Sequence, residues 1–194
     1  MKTTIALALA ATMLATGTVS AQASRAHAAG ASMSPVMVGG QSMLPTRDIV
    51  DNAVNSADHT TLVAAVKAAD LVQTLKGRGP FTVFAPVNDA FENLPEGTVA
   101  TLLRPESKAA LTKVLTYHVV PGRHTAADLM RMIRAGRGSA TLRTASGGTL
   151  TAMMNGPMNV VVRDESGNVA NVTTYDVMQS NGVIHVVNKV LLPR

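Results

Sequence analysis

The chain has 194 residues, 46% of them hydrophobic and 15% charged, and a formal net charge of +5 at neutral pH. That apolar fraction excludes a disordered tail protein, and the length suits one domain with its own packed core. Aromatic side chains make up only 3% of the chain and tryptophan is absent, which argues against base-stacking nucleic-acid platforms and aromatic ligand cages.

Residues 1–23 read as a secretory signal: Lys2 gives a positive start, Ile5 to Leu14 an apolar centre, and Ala21-Gln22-Ala23 a small-x-small cleavage site. The alternative, a membrane anchor, is disfavoured because Thr12, Thr16, Gly17, Thr18 and Ser20 interrupt the run well short of the roughly 20 apolar residues that a span requires. No later stretch is long and apolar enough to cross a bilayer. Export to the periplasm or the extracellular space is therefore expected. The chain has no cysteine, so disulfides, thiolate metal sites and a cysteine nucleophile are all excluded, and stability must come from the core.

Residues 24–45, rich in Ala, Gly, Ser and Met, show no periodicity and are expected to form a mobile leader. Its Met33, Met37 and Met43 carry thioethers suited to Cu(I), which makes a periplasmic copper-binding protein the alternative reading. Methionine as flexible filler is the plainer one. From Asp48, a candidate helix cap, Ile49, Val50, Ala53 and Val54 fall on one helical face. A second helical run covers 60–76, with Leu62, Val66 and Ala69 on one face and Leu71 and Leu75 continuing it, until Gly77-Arg78-Gly79-Pro80 stops it. Phe81 to Ala85 reads as a buried strand, followed by a short helix through Ala90, Phe91 and Leu94. All three phenylalanines lie within 81–91, which marks the middle of a core.

Over 107–119, Leu111, Val114, Leu115 and His118 recur at helical spacing, so His118 falls on the apolar face. Thr125 is placed to cap a helix over 126–135 that turns Leu129, Met132 and Ile133 inward and stops at Gly136. Beyond it the period drops to two, predicting strands at 141–145, 149–154, 159–163, 169–174 and 183–190 with Gly- and Asn-containing turns between them. Helices first and strands afterwards point to an α+β fold.

No zinc-protease, nucleophile-elbow, phosphate-loop or dinucleotide motif occurs. His118 and His124 are six residues apart across a Pro-Gly turn and match no metal-ligand spacing. His118 is expected to be a core histidine satisfied by hydrogen bonds, since an unpaired buried polar group costs roughly 1–3 kcal/mol. Met153 and Met154 are adjacent on a strand and face opposite ways, so they suit core filling better than a shared ion. Neither catalysis nor a cofactor nor a metal is expected.

Charge is concentrated. Between Arg123 and Arg143 there are five arginines and one acid, Asp128, while the rest of the chain beyond residue 23 is balanced. Arg131 and Arg134, three residues apart, share the outer face of their helix. They form either a solvated face or a docking surface for anionic glycans or lipid head groups; nucleic acid is not an expected partner.

Four stretches together resemble the fasciclin-like domain: Thr61-Leu62 with the helix to Leu75, FTVFAPVNDAF (81–91), LTYHVVPG (115–122) and NGVIHVVNKVLLP (181–193). The resemblance covers about Thr46 to Pro193 and places the domain at 46–194. It implies a wedge-shaped β-sandwich partly wrapped by helices, acting as a monomeric adhesion or binding module without a catalytic site, with a cell-surface or matrix protein among its partners. It further implies two candidate adhesion elements, Asp176-Val177 and Tyr117-His118 with Leu115, Val119 and Val120. Of these, Asp176 and Val177 are expected at the surface. Val87 departs from the family's usual threonine and removes one expected capping or turn hydrogen bond.

Overall fold

The structure, a computed structural model, describes residues 35–194. The signal reading over 1–23 and the candidate ligand Met33 lie outside the described residues.

Val36–Val38 (β1) and Gln41–Met43 (β2) form an antiparallel hairpin. Its two turn residues, Gly39 and Gly40, both have positive φ, as a tight turn matching the strand twist requires. Val38 and Met43 enter the core, whereas Met37 is 60% exposed. Part of the expected mobile leader is thus built into the fold. Met37 pairs with Ser42 and Met43 with Val36, so the two thioethers lie on opposite faces of the hairpin and cannot share an ion.

Asp48 accepts a hydrogen bond from the Asp51 amide and starts Ile49–Ala53 (α1). The single helix expected over 60–76 is instead two, Thr60–Ala68 (α2) and Val72–Leu75 (α3). Between them Asp70 adopts φ 56°, while its amide and that of Leu71 bond back to Lys67 and Val66 carbonyls. This is a Schellman closure with aspartate where glycine is usual. Phe81–Pro86 (β3), Asn88–Glu92 (α4), Thr98–Leu102 (α5), Lys108–Tyr117 (α6), Val119–Pro121 (β4) and Ala126–Ala135 (α7) follow. At the start of α4, Val87 supplies no side-chain cap, and Asn88 instead ties the helix to the amide of Thr61 and the carbonyl of Ala57. The remaining strands are Ser139–Arg143 (β5), Thr149–Met154 (β6), Val160–Arg163 (β7), Val169–Gln179 (β8) and Gly182–Val187 (β9).

Seven strands form one sheet in the order β4-β3-β9-β8-β7-β6-β5, antiparallel throughout except for the β3–β9 pair. β8 is long enough to serve both halves, pairing with β7 at its beginning and with β9 beyond, and register shifts at Val172–Val177 bend it between them. The bend brings the outer strands together, where the Ala145 amide donates to the Val119 carbonyl at 2.7 Å.

The apolar side chains divide into two clusters. Val83 and Ala85 of β3 and Ile184 and Val186 of β9 face α1, α2 and α6. Phe84 and Val187 face the opposite way, toward Leu129 and Ile133 of α7 and the inner side of β5–β8. The phenylalanine-rich stretch is therefore the partition between two cores, which explains why β3 is apolar at nearly every position.

Candidate functional site

Tyr117 and His118 stand where α6 turns into β4. The Tyr117 side chain is fully buried; its hydroxyl donates to the Thr149 carbonyl at 2.7 Å and accepts from the Glu165 amide at 3.0 Å. Burial is the main cause that pushes its pKa up to about 12. His118 Nδ1 bonds the Val114 carbonyl at 2.8 Å, so Nδ1 carries the proton and Nε2 accepts the Leu191 amide at 2.9 Å. Desolvation holds its pKa down to about 4, leaving the ring neutral at physiological pH. The polar atoms of both side chains are engaged inside the domain, and the pair ties α6 to the β6–β7 region and to the C-terminal segment.

Asp176 and Val177 occupy the bulged part of β8. Asp176 has φ 54° and its Oδ1 accepts the Ala126 amide, the first of α7, at 2.7 Å. Val177 is 1% exposed and packs in the first core, contrary to its expected surface position. The register shift between Thr174 and Val177 is the reason, because it resets the inside–outside alternation of the strand. Beside Asp176, buried His185 bonds the His124 carbonyl at 2.8 Å through Nε2 and stacks on Phe84, and burial lowers its pKa.

The helix that Asp176 pins is the one that carries the arginines. Thr125 and Asp128 close a capping box at its start, and the negative charge of both carboxylates suits a helix N-terminus. Leu129 and Ile133 are buried beneath α7 while Arg131 and Arg134 are exposed on its outer side. Met132, expected inward, is half-buried. Arg131 pairs with Asp128, the hydrogen bonds from Thr125 being the leading cause of a lowered Asp128 pKa. Arg123 bonds the carbonyls of Gln179 and Ser180. Among the described residues no carboxylate forms an ion pair with Arg134, Arg137 or Arg143, and all three are exposed. Arg131 and Arg134 thus form an outward face of α7; Arg137 lies in the turn that follows, and Arg143, next to inward Leu142, points to the side of β5 away from α7.

Two buried amides escaped the sequence reading. Asn181 accepts the Ile49 amide and donates to the carbonyls of Leu75 and Gly77, clamping α1 and the end of α3 to the β8–β9 turn. Asn52 bonds Gln179 and the backbone of Leu44. In the sequence, Asn181-Gly182 signals only a turn. Among the described residues no group of three or more His, Cys, Asp or Glu is arranged to hold a metal, and no helix is long and apolar enough to cross a membrane.

An α+β fold with a bent, nearly closed sheet and a helical wrap defines a class already seen in a solved structure. The FAS1 domain pair of the insect cell adhesion molecule fasciclin I superposes with a TM-score of 0.68 at 20% identity, over 77% of this chain and 52% of that one. The Fasciclin domain model matches residues 57–193, and the chain belongs to that family. Among sequence relatives, Protein sll1483 of Synechocystis sp. is 49% identical over 75% of this chain and 73% of its own length. Immunogenic protein MPB70 of Mycobacterium bovis is 31% identical over 86% of this chain and 78% of its own length.

Proposed function

We propose that this chain is an exported, non-catalytic binding module that contacts anionic polymers or lipid head groups of the cell envelope or matrix through the arginine face of α7. The observation that carries the reading is the exposure of Arg131 and Arg134 together on the outer side of α7, with no ion pair to Arg134 among the described residues. Basic side chains near an anionic surface contribute about 1 kcal/mol each at moderate salt, and the attraction fades beyond a Debye length. Two arginines therefore give modest affinity per domain, which display of many copies would multiply. Family membership supports a binding role, and the fasciclin I match is to a cell adhesion molecule.

In this reading Arg131 and Arg134 make the contacts. Asp176 positions their helix, and Val177, Tyr117 and His118 keep the domain folded. The test is binding of the double variant Arg131→Glu/Arg134→Glu to heparin or to vesicles containing phosphatidylglycerol at low salt. Two contacts at about 1 kcal/mol each predict at least a roughly 30-fold weakening, with a cooperative thermal transition retained and only slightly lowered by the lost Arg131–Asp128 pair. Undiminished binding would refute the proposal.

A further inference from the structure

An apolar cavity of about 300 Å3 lies between the sheet and the first three helices. Phe81, Val83 and Ile184 form its floor, Val50, Leu62 and Val66 stand over it, and Leu115, His118 and Val119 line it from α6 and β4. Protein interiors hold few voids larger than a water molecule. An engineered apolar cavity of roughly 150 Å3 stays dry and takes up benzene, and this one has about twice that volume.

Several of the polar groups that line it are already engaged. His118 uses both ring nitrogens, the Thr116 hydroxyl donates to the Thr112 carbonyl, and Lys76 pairs with Asp51 and Asp48. Water held inside would lack the two to four partners it needs, whereas a hydrocarbon needs none. The rim is also apolar: Val54 is 51% exposed, and Val63, Val66 and Val72 are half-buried. Lys67, exposed at the mouth, forms no ion pair among the described residues.

We propose that this cavity binds the hydrocarbon chain of a small lipid-like molecule, acyl or isoprenoid, and leaves its polar head at the mouth beside Lys67. The site belongs to the first core and the arginine face to the helix over the second, so either can fail without the other. The probe is cis-parinaric acid, whose fluorescence rises in apolar surroundings, titrated into the full chain. The expected result is saturable binding at micromolar concentration, undisturbed by Arg131→Glu/Arg134→Glu. Val66→Phe, which fills the space, should weaken binding at least tenfold without lowering the thermal midpoint, and Val63→Phe serves as a second filling variant. Stronger competition by palmitate assigns the acyl class, and stronger competition by farnesol the isoprenoid class. Absence of saturable binding, failure of both competitors, or full affinity in both filled variants would overturn the proposal.

Discussion

Acid should weaken this domain through His118 before its carboxylates protonate. A free histidine titrates near 6.5, whereas burial holds His118 down to about 4. Between those values the unfolded chain binds a proton that the folded one refuses. The contribution is therefore complete above about pH 6.5 and is lost as pH falls toward 4. Each tenfold difference in proton affinity between the two states is worth about 1.4 kcal/mol, so the full contribution is about 3 kcal/mol, of which about 2 kcal/mol disappears between pH 7.5 and 5. The main cause is desolvation of the buried ring, and protonation would also remove the Nε2 lone pair that accepts the Leu191 amide. His59 and His185 are also held down by burial and add to the wild-type slope in the same direction. The comparison must therefore be with His118→Gln, which keeps a donor and an acceptor but cannot titrate. In urea unfolding at pH 7.5 and 5.0, the wild type should lose about 2 kcal/mol more than the variant across the interval. Equal losses would refute the neutral, doubly bonded imidazole. At pH 7.5, His118→Phe should cost about 2–4 kcal/mol, because it strips partners from two buried backbone groups.

Asn181→Ala removes three hydrogen bonds of a buried amide and should cost about 3 kcal/mol in urea unfolding, while Asn181→Asp, which loses only the donors, should fall between. One of the two tyrosines should resist ionisation until about pH 12 in an absorbance titration, and Tyr117→Phe should delete that late component while costing about 1–2 kcal/mol. Asp176→Ala frees the first amide of α7 and should lower stability by about 1–2 kcal/mol in thermal unfolding, with Asp176→Asn, which keeps an acceptor, losing less.

Much of this domain could be read from residue pattern because the relevant interactions are local. Asp48 and Thr125 cap the helices they precede, and the apolar run at 81–85 is the strand that both cores share. The break at Asp70 was hidden because aspartate there does what glycine usually does, so neither glycine nor proline announced it. The hairpin at 36–43 has three-residue strands, too short for alternation to register. Val177 was misplaced because a bulge resets alternation without leaving a mark in the sequence. The arginine face was legible as charge density and helical spacing. The apolar cavity was not, because a void is defined by the distance between elements far apart in the chain.

The central position of β9 has a consequence for when the domain can form. Its partner in the parallel pair, β3, lies about a hundred residues earlier, and the two strands together separate both cores. Neither core can close until β9 has arrived, so a chain emerging from the ribosome keeps this domain open until residues 182–187 are synthesised. Such late, non-local closure makes folding slow.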